Sequence, residues 1–512
     1  MILAGLACLA GGSLSWAQPA PPSSTATSGE EPPPGPPRVT VDLPEGARPL
    51  PPGPVSADWD SIARHATTPA WLQDAKFGIF VFWGLFNVPD HGSDWYPRKM
   101  YSHEADVAWH AATFGTQDKF GYKDFIPKFT AKRYDPAGLA DLFARTGAGY
   151  VVGLAEFRDG FALYDSAYTR WDAAEMGPQR DLLGELATAS RARGMKFGVS
   201  YMRMAHWSFM YPRLVQLQHD LFDPAYADFY GPPQRPRTVP SAAFQEEWLV
   251  RLQEIVDKYQ PDILSFDGTL NERALDPLKA RAAAYVLNRA AGTGREPVIF
   301  TTTGEEGPAF PSGALREFER QGRAPKDLTP DVWQVTDPMT ERFGYISGTK
   351  TASAGTMVRR LVENTCRNGS FLLVVSPRAD GALPYEQKLA LQSIAGWMDV
   401  NGEAIRGTRP WSTIGEGALT LAQGQDYSGR DIRFTRRGDT LYAILMAWPG
   451  SEAVITSLPP GATAGKVTRV YLLGHGAPLE FTQDAAGLKV KMPAEMPCAH
   501  AFALKIHGLK LR

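Results

Sequence analysis

Cysteine is scarce in this chain, and its scarcity excludes two kinds of structural support. Only three of the 512 residues are cysteine. Cys8 lies in an apolar N-terminal segment, while Cys366 and Cys498 are far apart and have no histidine at ligand spacing. We therefore expect buried thiols, with neither a disulfide framework nor a zinc site. The nine histidines include no pair at metal-ligand spacing, and we predict neither a metal nor another cofactor.

An excess of charge of one sign is also missing. The 53 basic residues nearly balance the 55 acidic ones, for a formal net charge of -2, and no basic run interleaved with aromatic residues occurs. This balance excludes electrostatic binding of nucleic acid. The composition, 44% hydrophobic and 21% charged, is typical of a globular chain long enough for one large domain and a smaller one. It leaves the oligomeric state open.

The first 54 residues differ in composition from the rest. Residues 1–17 are apolar and rich in small side chains, and Ser15-Trp16-Ala17 resembles a cleavage site, although a basic start is missing. We predict a signal peptide here and hence export, to the periplasm or the exterior. Residues 18–54 are crowded with Pro, Ser, Thr and Gly, which predicts an extended linker. Beyond the signal segment we predict no transmembrane span.

From Trp71 onward, short β-rich runs alternate with amphipathic helical patterns. The predicted strands are Phe77–Phe82, Tyr150–Leu154, Lys196–Tyr201, Ile263–Phe266, Val298–Thr301, Val332–Val335 and Phe371–Val375. The predicted helices are Pro136–Thr146, Asp181–Arg193, Ala243–Tyr259, Ser353–Cys366 and Pro384–Met398. Repeated strand-helix units predict a parallel sheet, and the lack of a Gly-rich phosphate loop favours a closed (β/α)8 barrel, residues 55–408, over an open doubly wound sheet.

The pattern changes after Pro410-Trp411. Alternating strands follow, at Thr440–Leu445, Val467–Leu473, Leu488–Met492 and Ala501–Ile506. They predict a small antiparallel β-sandwich over residues 409–512.

In a parallel barrel the chemistry lies at the carboxyl ends of the strands. The most informative run is residues 261–268, a buried strand that ends in Asp267 and glycine. A carboxylate at that point must meet solvent, a metal or a substrate, unless it merely caps a loop. Other acids that follow strands or lie in nearby loops are Asp94, Glu156, Asp159, Glu305 and Glu306. A pair of such acids is what glycoside hydrolysis needs.

Several motifs in register then resemble family 29 α-L-fucosidases. They are Trp71–Phe80 with Trp83-Gly84, Gly92–Tyr96, Asp159–Leu163, Phe266-Asp267-Gly268, and Asn401–Ile405 with Thr408–Trp411. The resemblance implies a barrel with a C-terminal β-sandwich, a secreted or periplasmic location, and a fucosylated glycan or glycoside as substrate. It also implies a retaining mechanism, in which Asp267 attacks the fucosyl anomeric carbon and a glutamate acts first as acid and then as base.

The departures from the family pattern concern the sugar site. Phe82 stands where the family has a histidine, Phe157-Arg158 replaces a His-His pair, and Ser265 replaces a tryptophan. Gln334 takes the place of a glutamate that supplies the acid/base in many members. Because glutamine cannot donate and recover a proton, another acid must act.

We predict Glu156 and Glu305 as the candidate replacement acids. The predicted substrate contacts are Trp83, Asp94, Trp95, Tyr96, Arg158, Asp159, Tyr201 and Gln334. Trp83, Trp95 and Tyr96 suit a sugar platform and ordinary packing equally well. Two functions stay open. One is an exported hydrolase of terminal α-L-fucosyl or related deoxy-sugar linkages, and the other is a catalytically impaired relative that binds glycans or serves as a scaffold.

Overall fold

The structure is a computed structural model that describes residues 46–214, 217–231, 233–236, 238–303, 308–419 and 425–511. The predicted signal peptide and most of the predicted linker lie outside these residues. The described residues belong to one compact unit, Val39–Arg512. Among them, no helix has both the length and the apolar character needed to cross a bilayer.

Eight parallel strands form a closed barrel, in which neighbours in sequence are neighbours in space. They are β1 (Phe77–Val81), β2 (Tyr150–Glu156), β3 (Lys196–Tyr201), β4 (Ile263–Phe266), β5 (Val298–Thr302), β6 (Leu315–Glu319), β7 (Trp333–Pro338) and β8 (Gly369–Val375). The barrel closes where Phe77 of β1 pairs with Phe371 of β8. The predicted parallel barrel is therefore confirmed.

Twelve α-helices occur in the described residues. They are α1 (Trp59–His65), α2 (Ala70–Ala75), α3 (Tyr96–Lys99), α4 (Glu104–Phe114), α5 (Pro136–Arg145), α6 (Leu182–Ala192), α7 (His206–Phe209), α8 (Ala227–Tyr230), α9 (Ala242–Tyr259), α10 (Asp276–Ala291), α11 (Ala354–Cys366) and α12 (Tyr385–Asn401). The five predicted helices correspond to α5, α6, α9, α11 and α12. Four of these five begin at a side-chain cap, Asp135, Asp181, Ser241 or Ser353, which accepts a backbone N–H three residues on.

The strand β6 is the one barrel strand that the sequence pattern missed. Its alternate residues are Leu315, Glu317 and Glu319. The two glutamates line the barrel cavity described below. Strand prediction depends on apolar residues at alternate positions. Because the inner face of β6 is acidic, that signal is absent.

The C-terminal region forms two antiparallel sheets, in the orders β13-β16-β11-β10-β9 and β12-β15-β14. The strands are β9 (Arg409–Glu416), β10 (Ile432–Arg437), β11 (Thr440–Leu445), β12 (Glu452–Ile455), β13 (Ala464–Leu472), β14 (Phe481–Asp484), β15 (Gly487–Lys491) and β16 (Phe502–Lys510). Apolar residues of both sheets form one buried cluster, including Phe434 and Val490. This is the arrangement that the alternating pattern predicts.

A buried ion pair connects this region to the barrel. Arg433 of β10 is fully buried, and its Nη2 lies 2.6 Å from Oε1 of Glu363 on α11. Cys366, at the end of α11, is a buried free thiol, and Cys498 is a half-buried one. Burial raises the pKa of Cys366 to about 12, so this thiol is unreactive at neutral pH.

Gly381, in the loop after β8, has a conformation and a close contact that only glycine accommodates without strain. Gly381 has φ of 87°, and a Cβ there would lie 2.6–2.8 Å from backbone and Cβ atoms of Tyr134. We expect Gly381→Ala to lower the free energy of unfolding by about 1–3 kcal/mol, because both the conformation and the contact are unfavourable. Urea denaturation would measure this. The matched control is Gly396→Ala on the exposed face of α12, where a Cβ meets nothing within 4 Å, and which should be neutral or stabilising. Equal effects of the two substitutions would contradict the argument.

Candidate active site

The carboxyl ends of the barrel strands surround a cavity of about 450 Å³. Its lining combines aromatic rings, acids and cations. The aromatic residues are Phe80, Phe82, Trp95, Phe157 and Phe343; the acids are Asp94, Asp267, Glu317 and Glu319; and the cations are Lys99, Arg158, Arg320 and Arg342. Thus four of the residues predicted from sequence, Asp94, Trp95, Arg158 and Asp267, lie in one cavity.

Asp267 directly follows β4 and faces this cavity, with 6% of its surface exposed. Its Oδ2 lies 2.9 Å from Nη2 of Arg158, and its Oδ1 accepts a hydrogen bond of 2.5 Å from the Thr269 hydroxyl. The Arg158 guanidinium in turn stacks 4.9 Å from the ring centre of Trp95. The carboxylate is therefore held by two partners at the position where a substrate would enter.

A second carboxylate, Glu317 of β6, lies in the same layer of the barrel. Phe266 pairs with Thr301, so Asp267 follows at the level of Thr302, which pairs with Glu317. The Glu317 Oε2 accepts hydrogen bonds from the Ser265 hydroxyl at 3.0 Å and from Gln334 Nε2 at 2.8 Å. Burial raises the pKa of Glu317. The cavity floor therefore contains an acid that sequence reasoning did not identify.

Glu319 lies two residues further along β6, nearer the cavity mouth, and is exposed. The next residue, Arg320, has φ of 69°, an uncommon conformation for a side chain of this size. Its guanidinium lies 5.1 Å from the ring centre of Phe343 and donates a hydrogen bond of 3.0 Å to the Glu341 carbonyl. Strained backbone of this kind is typical of functional sites.

Gln334 is fully buried behind the cavity wall. The Tyr150 hydroxyl donates to its Oε1 at 2.7 Å, and its Nε2 donates to Glu317. Gln334, a predicted sugar contact, therefore does not line the cavity. Gln334 instead orients the Glu317 carboxylate.

Glu156 does not reach the cavity, which corrects its predicted role as replacement acid. Its side chain is completely buried, with Oε1 at 2.8 Å from Arg203 Nη1 and Oε2 at 2.5 Å from Arg251 Nη2. Glu247 binds the same two arginines at 2.9 and 3.0 Å. A carboxylate held by two arginines has no free oxygen for proton transfer. The other candidate, Glu305, lies outside the described residues.

Four further predicted sugar contacts are buried packing residues. Trp83 packs against Phe129 and Tyr134, with ring centres 5.1 and 4.9 Å away. The Tyr96 hydroxyl is 2.7 Å from His110 Nδ1, and the Tyr201 hydroxyl donates to the Trp248 carbonyl at 3.3 Å. These three residues pack in the core and do not line the cavity.

Asp159 is the fourth of these residues. Its Oδ2 accepts a 2.5 Å hydrogen bond from Tyr122, and its Oδ1 accepts the Phe161 N–H at 3.2 Å. Burial raises its pKa to about 7. Asp159 therefore holds together the turn that carries Arg158 and does not line the cavity.

An aromatic wall includes Phe82 and Phe157, which stand at positions where the resemblance implies histidines. Phe82 contacts Phe86, Phe157 and Phe343, with ring centres 5.0, 5.6 and 5.7 Å apart. Such a wall offers apolar surface and no hydrogen-bond donor to a sugar hydroxyl. It favours a ligand with an apolar face.

Asp94 is the acid on the loop after β1. Burial raises its pKa, and the nearby charges are those of Arg158, Glu319 and Arg320. Within the described parts of the chain, no group of three or more His, Cys, Asp or Glu side chains could hold a metal ion.

Comparisons with known proteins agree with this architecture. The Alpha-L-fucosidase family profile matches residues 48–403, and that of the Alpha-L-fucosidase C-terminal domain matches residues 424–507. Tissue alpha-L-fucosidase of Bos taurus is 27% identical over 464 residues, covering 88% of this chain and 91% of the relative. Plasma alpha-L-fucosidase of Rattus norvegicus is 29% identical over 461 residues, covering 88% and 93%.

The structural comparison gives the same result. The crystal structure of Thermotoga maritima alpha-fucosidase in complex with fucose superposes with a TM-score of 0.71 at 27% identity, covering 88% of this chain and all of that one. Both the barrel and the C-terminal sheets are thus accounted for, and the chain belongs to the α-L-fucosidase family.

Proposed function

We propose that this chain hydrolyses terminal α-L-fucosyl or related deoxy-sugar linkages with retention of configuration. The observation that carries the proposal is that Asp267, directly after β4, and Glu319, the last residue of β6, line one cavity at the carboxyl face of the barrel. Two carboxylates on either side of a scissile bond are the machinery of retaining glycosidases.

Asp267 is the proposed nucleophile. One of its oxygens attacks the anomeric carbon, the bond to the leaving oxygen breaks, and a glycosyl ester forms on the enzyme. Arg158 and Thr269 bind the two oxygens of this carboxylate, so they fix its orientation. When water releases the sugar, the same two partners stabilise the carboxylate that is regenerated.

Glu319 is the proposed acid/base, in preference to Glu317. The acid must reach the oxygen that joins the sugar to the leaving group, and the same residue must later activate water that arrives from solvent. Glu319 is exposed at the mouth, whereas Glu317 is buried at the floor, with two donors on one oxygen. Glu317 is thus placed to bind a hydroxyl of the sugar.

The aromatic wall suits a deoxy sugar. Phe82, Phe157 and Phe343 present apolar surface, against which a methyl group packs favourably. A sugar with a hydroxyl at that position would lose a hydrogen bond to water without gaining another, which costs about 1–3 kcal/mol.

A first test is the product configuration. The full chain is incubated with an aryl α-L-fucoside, and the anomer released first is followed by proton NMR. The proposal expects the α anomer of the free sugar. Initial release of the β anomer would contradict double displacement.

Substitution of Glu319 tests the acid/base assignment. We expect Glu319→Gln to lower kcat by about 10²–10⁴-fold, because proton transfer is lost in both half-reactions. Azide should restore turnover and give an α-fucosyl azide, since it attacks the enzyme ester from the side that Glu319 occupied. The comparison variant is Glu317→Gln, for which loss of about one hydrogen bond to sugar predicts a tenfold fall in kcat/KM and no azide product. Azide rescue of Glu317→Gln alone would exchange the two roles.

One observation favours the second candidate function, a glycan-binding relative without turnover. Arg158 pairs with Oδ2 of Asp267 at 2.9 Å, and this ion pair stabilises the carboxylate and makes it a weaker nucleophile. Absence of hydrolysis with aryl α-L-fucosides and other aryl glycosides, together with saturable binding of fucose, would support that function.

We also infer that the chain is exported. The support is the apolar segment 1–17 and the Pro-rich segment that follows it. Expression of the full chain in a Gram-negative host, followed by cell fractionation and N-terminal sequencing, tests this. Recovery from the cytoplasm with Met1 intact would overturn it.

A further inference from the structure

Two of the four cations that line the cavity already have partners. Arg158 pairs with Asp267 and stacks on Trp95. Arg320 stacks on Phe343 and donates to a backbone carbonyl. Burial raises the pKa of Asp94, and the charges of these two arginines oppose that rise and help to balance the acids of the cavity.

Lys99 and Arg342 are different. Within the ranges that the structure describes, no carboxylate forms an ion pair with either side chain, and neither head group has a hydrogen-bond acceptor among those residues. Lys99 is half-buried and Arg342 is exposed. Two cations thus line the cavity without an ion-pair partner among the described residues.

The surroundings of Lys99 are also positive. Arg98 precedes it, and the pKa of Arg98 is lowered by burial and by the charges of Arg213 and Arg158. In the described residues, Arg98 and Arg213 have no carboxylate partner either. Lys99 therefore has cationic neighbours that lack carboxylate partners in the described part of the chain, and together they would attract an anion.

The two cations lie on loops that touch each other. Lys99 ends α3 in the connection after β1, and Arg342 lies in the connection after β7. The Ser347 N–H of the second loop donates to Asp90 of the first at 2.6 Å. The strands that precede these loops, β1 and β7, both pair with β8. Both cations therefore belong to one sector of the rim, outside the floor formed by Ser265 and Glu317.

We propose that Lys99 and Arg342 form a subsite for an anionic group on the leaving portion of the substrate, either a carboxylate or a sulfate ester. The inference rests on the proposed hydrolase function and adds a substrate class to it. The sugar to be released occupies the floor beside Asp267, so the rest of the substrate passes the mouth. There the arginine offers a planar fork and the lysine a point charge, the usual pair for carboxylate and sulfate oxygens.

The test uses aryl α-L-fucosides that differ only in charge. One carries a carboxylate at position 3 of a 4-nitrophenyl leaving group, and its matched control is the methyl ester of the same compound. A second compound carries a sulfonate in place of the carboxylate, to separate the two kinds of anion. The measured quantity is kcat/KM of each anionic fucoside divided by kcat/KM of the ester.

For the full-length chain at low salt we expect this ratio to be about 3 to 10 for at least one anion. A preference of this size corresponds to the free energy of a partly exposed ion pair. The ratio should fall toward 1 at high salt because the charges are screened. It should also fall toward 1 in the double variant Lys99→Gln/Arg342→Gln. The control Lys466→Gln, an exposed lysine of β13, should keep the ratio of the unmodified chain.

A ratio of 1 or less for both anions, with the ester hydrolysed, would overturn the subsite while leaving the hydrolase function intact. If no fucoside is hydrolysed, the proposed function fails, and calorimetric binding of the same compounds decides the subsite separately. Tighter binding of an anionic compound than of the ester, lost in the double variant, would support it. Equal binding would refute it.

Discussion

Replacement of Asp267 by alanine is expected to abolish glycoside hydrolysis, with a fall in kcat of about 10⁴-fold or more, because the enzyme ester can no longer form. The assay is hydrolysis of an aryl α-L-fucoside by the full chain. The matched control is Asp399→Asn, an exposed aspartate of α12, which should retain full activity.

The Asp267→Ala variant allows a second, more specific measurement. With azide present, the small anion can take the place of the missing carboxylate and attack directly. The expected product is a β-fucosyl azide, of opposite configuration to the product expected from Glu319→Gln. Activity close to that of the unmodified chain, or loss of activity together with loss of the folded state, would remove the support for Asp267 as nucleophile.

Loss of Glu156 is expected to destabilise the barrel strongly. Glu156 and Glu247 together neutralise Arg203 and Arg251, and all four side chains are buried. Removing the Glu156 carboxylate leaves Glu247 alone to balance two buried arginines, and a buried charge left uncompensated costs about 3–5 kcal/mol. We expect Glu156→Gln to lower the free energy of unfolding by this amount in urea denaturation.

The control for this prediction is a similar pair at the surface. Glu480 and Lys491 lie 3.0 Å apart but are 81% and 72% exposed, so Glu480→Gln should cost less than about 1 kcal/mol. A Glu156→Gln variant of normal stability that has lost its turnover would contradict the structural role. That result would return Glu156 to the role of catalytic acid.

The barrel strands show what could be read without a structure. Strands such as β4 and β8 are continuous apolar runs, because helices cover one side of a parallel sheet and the barrel interior the other. Helix starts could be read as well, because the capping residues Asp181 and Ser241 lie directly before the helices that they cap. Asp267 could be identified because it interrupts an apolar run at a strand end.

The acids of β6 could not be identified in this way. Glu317 and Glu319 lie on a strand whose inner face is polar, so no periodic apolar signal marks it. The indirect signal was the long gap between the predicted strands β5 and β7, in which an eight-stranded barrel requires one more strand. Gln334, which stands in place of a family glutamate, lies on β7, next to the strand that carries Glu317 and Glu319.

The sequence by itself determined the barrel, the C-terminal sheets, the family and the position of Asp267, because each depends on local periodicity or on short motifs that stay contiguous in the chain. Only the tertiary structure decided which acids share a cavity with Asp267. Glu156 and Glu319 both stand at the end of a barrel strand, yet Glu156 is bound by Arg203 and Arg251 while Glu319 lines the mouth. The direction of a side chain at a strand end, and the partner that it meets there, depend on residues distant in sequence that only folding brings together.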